Sequence, residues 1–147
     1  MLNVQIRPVR EQDYLAVNDL TAQLGYNLPA DLTLANIRHI LTNSDEHILV
    51  ACLEDKVIGW IQVSCFVRLE SGPLCEIVGL IVDGQHRSQG VGQLLVRHAM
   101  HWSGQKHCRR LRVRSNAVRT ATHAFYLHAG FSEIKEQKVF EKTIDVP

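Results

Sequence analysis

The sequence predicts an α/β domain built round one twisted, mixed sheet, and two observations carry that prediction. Alternating apolar segments interleave with segments of helical period along the whole chain, in the order β-α-α-β-β-β-α-β-α-β-β. That order gives about seven strands and four helices. The run "EIVGLIV", residues 76–82, is almost continuously apolar, the pattern of a strand covered on both faces, and a helix of period 3.6 opens a short loop later.

Each element has its own reason. "NVQIRPV" alternates like a strand and ends at Pro8. Residues 11–24 place Tyr14, Val17, Leu20 and Leu24 on one helical face, and Gly25 and Pro29 punctuate the chain after it. A second helix is expected from about Asp31 to Thr42, with Leu34, Ile37 and Leu41 inward. "HILVACLE" and "KVIGWIQVSCFVR" read as an antiparallel hairpin turning near Asp55, and "LESGP" turns the chain again before residues 76–82. From Val91, apolar residues recur at Leu94, Leu95, Ala99 and Trp102. "CRRLRVRS" alternates, with Leu111 and Val113 on one face and Arg110, Arg112 and Arg114 on the other. A helix through "RTATHAFYLHAG" stops at Gly130, a C′ glycine, and "FSEIKE" and "KVFEKTI" are expected as the last two strands.

The 147 residues suit one ordinary domain, 1–147, with no repeat, low-complexity tract or long linker. At 46% hydrophobic and 21% charged, the chain has the balance of a globular protein. A formal charge of +1 favours neither nucleic acid nor an anionic membrane as partner. No run approaches transmembrane or signal-peptide length, so a cytoplasmic protein is expected. Cys52, Cys65, Cys75 and Cys108 form no CxxC pair, and three lie in apolar runs; buried reduced thiols and no metal site are expected. The histidine pairs His98/His101 and His123/His128 lack a third ligand nearby and read as surface or satisfied side chains.

The segment "QHRSQGVGQLL", residues 85–95, raises the functional question. A Walker A loop requires Gly-Lys-Ser/Thr, but Val91 and Gly92 follow Gly90; the dinucleotide fingerprint requires glycine where Leu95 stands. What remains is a strand, a short loop, then Arg87-x-x-Gly90-x-Gly92 opening a helix. The first turn of a helix has N–H groups without internal partners at the positive end of its dipole, and glycine lets an anion approach closely. The residues therefore read either as an anion site at a helix N-terminus or as an ordinary strand-to-helix turn.

Arg87-x-x-Gly90-x-Gly92 after Leu80-Ile81-Val82 resembles the acetyl-coenzyme A (acetyl-CoA) signature of the GNAT superfamily of N-acyltransferases. "HAFYLHAGF", residues 123–131, resembles the second signature of that family, a helix with Tyr shortly before Gly-Phe. The order of elements matches over essentially the whole chain, and "SNAVRTATHAFY" is loosely similar to small-amine and aminoalkylphosphonate acetyltransferases. Gly84 stands where many members have proline. Ser88 stands where glycine is common, a place it fits with a negative φ. The resemblance implies a sheet whose central parallel strands, residues 76–82 and 108–114, splay to admit acetyl-CoA. Main-chain groups of Leu80, Ile81 and Val82 would bind the pantetheine arm and thioester. Amides of Arg87, Ser88, Gln89, Gly90, Val91 and Gly92 would hold the pyrophosphate. Asn116, ten residues before Tyr126, is the position for a further contact with the arm.

The implied reaction is direct attack of an amine on the thioester. An alkyl amine is protonated near neutral pH, with a reference pKa of about 10.4, so a base must take a proton, directly or through water. Glu76 is the candidate base, at the mouth of an otherwise apolar strand; the alternative is a strand-end carboxylate in a surface ion pair. Tyr126 is the candidate acid for the departing thiolate; the alternative is a packed tyrosine bonding outward. Arg110, Arg112, Arg114 and Arg119 are a solvated or ion-paired face, or a contact for the cofactor's 3′-phosphate. Asp31, Arg68 and Glu70 lie in the segments that would shape the amine site. The functions consistent with this pattern are acetylation of a small primary amine, acetylation of a protein lysine or N-terminus, and a coenzyme A-binding sensor without turnover. "KVFEKTI" could pair with a second copy to give a homodimer.

Overall fold

The protein is described by a computed structural model that covers residues 3–147. The chain divides after Arg114 into two compact units, the second being Ser115–Pro147. Among the described residues no helix is long and apolar enough to cross a membrane.

The first unit contains strands β1 (Val4–Pro8), β2 (Glu46–Leu53), β3 (Lys56–Arg68), β4 (Gly72–Val82) and β5 (Leu111–Val113), and helices α1 (Tyr14–Ala22), α2 (Ala30–Leu41) and α3 (Val91–Gln105). The strands lie in the order β1-β2-β3-β4-β5. The first four pair antiparallel and β4 pairs with β5 in parallel, so the sheet is mixed as expected. The turn between β2 and β3 takes only Glu54 and Asp55, with Glu54 at φ 57°. Register follows from burial: Val50, Ile58, Ile61 and Val63 are wholly covered, and a slip of one residue would expose them.

Helices α1 and α2 bury Val17, Leu20 and Ile37 in a cluster with Ile48, Val57 and Ile81 of the sheet. The inward face of α2 differs from the expected one. Thr33 and Ile37 are buried, whereas Leu41 is half exposed. Thr33 is held there because its hydroxyl accepts from Asn18 Nδ2 at 2.9 Å, and the same amide nitrogen donates to the Leu28 carbonyl at 2.7 Å. A polar pair thus outcompetes a leucine for the inward position. Arg7 of β1 grips Asp13 in a two-pronged ion pair at 2.8 and 2.9 Å, which holds the Asp13 carboxyl below the usual carboxylate range. Helix α3 packs Leu95, Val96 and Ala99, all buried, and Leu95 comes within 3.3 Å of the place where a Cβ on Gly59 would stand.

Strand β4 departs from a simple ladder at one place. Gln62 pairs with Gly79 but Val63 pairs with Ile77, so Val78 is an extra residue on β4. Its parallel partner β5 stops there too, the three pairs being Cys75 with Leu111, Glu76 with Arg112, and Ile77 with Val113. A bulge bends its strand and ends pairing locally. From Val78 to Val82, β4 keeps β3 on one edge and has no β5 residue on the other. Val78 is half exposed, so the apolar run is not covered on both faces along its whole length, as its composition had suggested. The glycine in this stretch has a steric reason: a Cβ on Gly79 would lie 2.7 Å from two ring carbons of Trp60.

In the second unit, α4 spans Thr120–His128. Gly130 follows at φ 98°, the Gly130 N–H donates to the Leu127 carbonyl at 3.1 Å, and the Phe131 N–H donates to the Tyr126 carbonyl at 3.0 Å. These are the two bonds of a Schellman stop, as the C′ glycine predicted. The two closing strands expected at "FSEIKE" and "KVFEKTI" do not form; residues 132–147 carry neither helix nor strand, so the described sheet has five strands and not about seven. Alternation makes a strand only where a neighbour completes the ladder and covers the apolar face. Ile134, Val139, Phe140 and Ile144 all remain exposed.

The cysteines also differ from expectation. Cys65 and Cys75 sit directly opposite each other on β3 and β4 and are joined by a disulfide, while Cys52 and Cys108 are free. The cause is register, which a spacing of ten residues does not disclose.

Candidate functional site

The site is built where β4 passes through a loop into α3. Asp83, at the end of β4, anchors the loop through its own backbone, its N–H donating to the Ile58 carbonyl at 2.8 Å. Its carboxylate accepts from Gln23 Nε2 at 3.0 Å and meets His86 Nδ1 at 3.0 Å. Gln23 also accepts from the Gly84 N–H at 2.9 Å, so one amide side chain at the end of α1 braces two consecutive loop residues. The bonds from Gln23 and then His86 hold the Asp83 carboxyl below the usual range. Sequence reasoning missed this brace. Gln23 and Asp83 are 60 residues apart, and no local pattern joins them.

Beyond the brace, the backbone turns its amides outward. Arg87 is extended at φ −69° and ψ 156°, Ser88 lies at φ 63°, and Gly90 caps α3 at φ 85° and ψ 2°. The positive φ at Ser88 overturns the expectation of a negative one. A non-glycine residue there costs about 1–2 kcal/mol, which marks the loop as held to its shape by its surroundings. Left-handed residues alternating with right-handed or extended ones make successive N–H groups converge on a concavity suited to an anion. Among the described residues, the first backbone bond of α3 is donated by the Leu94 N–H to the Gly90 carbonyl at 3.0 Å, so the amides of Val91, Gly92 and Gln93 open the helix without a partner inside it. Residues Arg87 to Gly90 are exposed, Val91 is buried beneath them, and a Cβ at Gly90 would meet nothing within 4 Å. The unpartnered amides of this first turn, with open space at Gly90 beside them, can hold an anionic diphosphate. Arg87 Nε reaches back to the Val82 carbonyl at 3.4 Å.

The other predicted residues are spread over both units. Leu80, Ile81 and Val82 lie on the part of β4 whose second edge is free; Ile81 is buried, its neighbours half-buried. Glu76 stands four residues earlier, before the bulge, with Arg114 Nε on its Oε1 at 2.7 Å and its side chain 14% exposed. One carboxylate oxygen is therefore committed to an ion pair and the other is not. Arg110 donates to the Ser71 carbonyl at 3.2 Å, so the arginine face is partly ion-paired and partly bonded to backbone. Arg68 and Glu70 pair at 3.6 Å, and Asp31 is exposed in the first turn of α2.

Asn116 and Tyr126 belong to the second unit. Asn116 Oδ1 accepts from the Val118 N–H at 3.1 Å and its carbonyl meets His123 Nε2 at 2.8 Å, which commits its oxygens to a local turn. Its side-chain nitrogen is left for a ligand. Tyr126 is wedged edge-on between Phe125 and Phe131, with ring centroids 5.1 and 5.4 Å away. Burial pushes its phenol up to about 12, against a smaller opposing effect of Arg119. The hydroxyl is therefore protonated throughout the neutral range, the state a proton donor requires.

A helix start with exposed amides, shortly after a strand with one free edge, offers main-chain donors of the kind that suit a phosphate-bearing ligand. Residues 14–131 match the model of the acetyltransferase (GNAT) family. The chain belongs to that family. It is 29% identical over 101 residues to an aminoglycoside N(6′)-acetyltransferase type 1 of Klebsiella aerogenes, a match spanning 66% of each protein. It is 30% identical over 76 residues to an enzyme of the same name from Acinetobacter haemolyticus, spanning 52% of each. The chain thus aligns with about two thirds or less of these relatives' length. The fold is similar to that of the aminoglycoside acetyltransferase AAC(6′)-Iy bound to a CoA–acetylneamine bisubstrate analogue, with a TM-score of 0.87 at 22% identity over 97% of this chain and 99% of the other. It is also similar to AAC(6′)-Ig from Acinetobacter haemolyticus, with a TM-score of 0.84 at 23% identity over 96% and 99%.

Proposed function

We propose that this chain, as one catalytic domain over residues 1–147, moves the acetyl group of acetyl-CoA directly to a primary amine of a small molecule. The observation that carries the reading is the exposed first turn of α3, whose amides from Val91 to Gln93 have no partner within the helix, shortly after a strand whose edge is free from Val78 onward. The amides take the pyrophosphate of the coenzyme, and the free edge of Leu80 to Val82 takes its amide-bearing arm in the manner of an added strand. A backbone N–H in the same stretch stabilises the oxyanion that forms when the amine attacks the thioester carbon, an effect typically worth about 3 kcal/mol. Glu76 accepts the amine proton through its uncommitted oxygen. Four residues of strand span roughly 13 Å, so it works through water. Tyr126, protonated by virtue of its raised pKa, gives a proton to the departing thiolate. Asn116 contributes its side-chain N–H to the arm.

The names of the two sequence relatives make aminoglycoside amines the first acceptors to try, and the exposed carboxylate of Asp31 suits a cationic ligand. The test is release of free thiol from acetyl-CoA with a panel of aminoglycosides, simple alkylamines and lysine peptides. Amine-dependent release, with small amines preferred over peptides, is the expected result. Tight acetyl-CoA binding with no amine-dependent release would overturn the catalytic reading in favour of a sensor.

A further inference from the structure

We infer that Cys65, Cys75 and Cys108, in their reduced form, are a three-thiolate site for a thiophilic d¹⁰ cation, Zn²⁺ being the probe. The three sulfur atoms lie within 4.8 Å of one another although they come from β3, β4 and the segment between α3 and β5. Each is fixed by the backbone around it. The Cys65 N–H donates to the Asp45 carbonyl at 2.8 Å, the Cys75 N–H to the Arg110 carbonyl at 3.2 Å, and the Cys108 N–H to the Ser103 carbonyl at 3.1 Å. Lys106 pairs with the Asp45 carboxylate at 3.2 Å and so draws the segment carrying Cys108 toward the strand carrying Cys65.

The shape of the cluster separates metal binding from disulfide exchange. Cys108 Sγ stands 3.6 Å from Cys65 Sγ. In-line attack on the Cys65–Cys75 bond would put Cys108 Sγ about 5.6 Å from Cys75 Sγ, given an S–S bond of about 2.05 Å. The observed limit of 4.8 Å makes the three sulfurs a triangle, not a line. Thiolates round tetrahedral zinc, with Zn–S about 2.3 Å, sit about 3.8 Å apart, close to the Cys65–Cys108 separation. Cys65 and Cys108 are part exposed, which gives a cation its way in and leaves the fourth position to water.

The disulfide must open first. A dithiol or a phosphine supplies the two electrons; a phosphine becomes its oxide, with water giving the oxygen to phosphorus and a proton to each sulfur. Three thiols then lose three protons as they take up one Zn²⁺ and one water. The cation would tie β3 and β4 to the foot of β5, where the parallel pairing begins at Cys75 and Leu111.

The test uses the full chain reduced with a phosphine and freed of small molecules, titrated with Zn²⁺ alone, with Cd²⁺ reporting thiolate ligation by its ultraviolet charge-transfer band. One ion per chain is expected, with affinity falling about 10²-fold or more in Cys108→Ser and unchanged in Cys52→Ser. Circular dichroism matching the wild type keeps the Cys108→Ser result interpretable. Uptake that is absent from the reduced wild type, equal in Cys108→Ser, or lost equally in Cys52→Ser overturns the assignment.

Discussion

Replacing Gly90 by alanine separates a backbone that needs glycine for its conformation from one that needs it for a ligand. Gly90 lies at φ 85°, where an alanine costs about 1–2 kcal/mol, partly offset by about 0.4–1 kcal/mol from a less flexible unfolded chain. The net loss of stability is about 1 kcal/mol, a fall in Tm of about 3 °C for a chain of this length. Among the described residues, no atom beyond the two chain neighbours lies within 4 Å of the added methyl, so no packing contact resists it. A diphosphate seated on the amides of Arg87 to Gly92 would resist it. Pushing one phosphate oxygen off an N–H costs about 1.5–3 kcal/mol for a charge-assisted bond, about 10- to 100-fold in affinity. Acetyl-CoA binding by calorimetry, beside thermal melts of both proteins without ligand, reads the two effects separately. If Tm falls by about 3 °C while the acetyl-CoA Kd stays within about twofold, the glycine serves the turn alone and the amide cradle is wrong.

Three further outcomes are expected. Tyr126→Phe lowers turnover by about 10²-fold or more with the fold intact, read by thiol release under conditions where chemistry limits the rate; unchanged turnover removes the acid assignment. Glu76→Gln lowers turnover by about 10²-fold or more with acetyl-CoA binding unchanged, and a variant that keeps wild-type turnover shows the base to be another group. His47, stacked on Trp102 with centroids 5.2 Å apart, has its pKa lowered by burial, so the unfolded chain takes up a proton that the folded one refuses. Stability should therefore fall as pH drops below about 6.5, the unfolded reference, and His47→Phe should flatten that part of the curve in urea titrations at successive pH values.

What the sequence disclosed was local in character. The Schellman stop at Gly130 and the start of α3 at Val91 depend on a handful of neighbouring residues, and the spacing of Leu95 and Ala99 records which face of α3 is covered. What stayed hidden depends on register. The bulge at Val78 shows only when Gln62 and Val63 are matched to Gly79 and Ile77; the meeting of Cys65 with Cys75 needs the same alignment. Glu76 and Arg114 could each be read as part of a charged strand face, but their bond joins residues 38 apart across a parallel ladder. The last two strands failed for the complementary reason. Alternation at residues 132–147 records a preference, and nothing in one chain's pattern says where the neighbouring strand comes from.

That contrast also separates binding from chemistry in the proposed site. The grip on the coenzyme is assigned to main-chain groups of β4 and α3, whose positions are set by glycines, a helix start and the Gln23–Asp83 brace. Proton transfer is assigned to Glu76 and Tyr126, whose environments come from partners elsewhere in the chain. Changes to the loop and the start of α3 should therefore raise the Kd for acetyl-CoA and leave the rate at saturation nearly alone, since they remove binding common to ground and transition states, unlike the oxyanion-binding N–H of β4. Changes to the second set should do the reverse. A Gly90→Ala protein whose Kd for acetyl-CoA rose and whose rate at saturation fell by as much would mean that the loop acts on the transition state as well, and the assignment of the loop to binding alone would have to be abandoned.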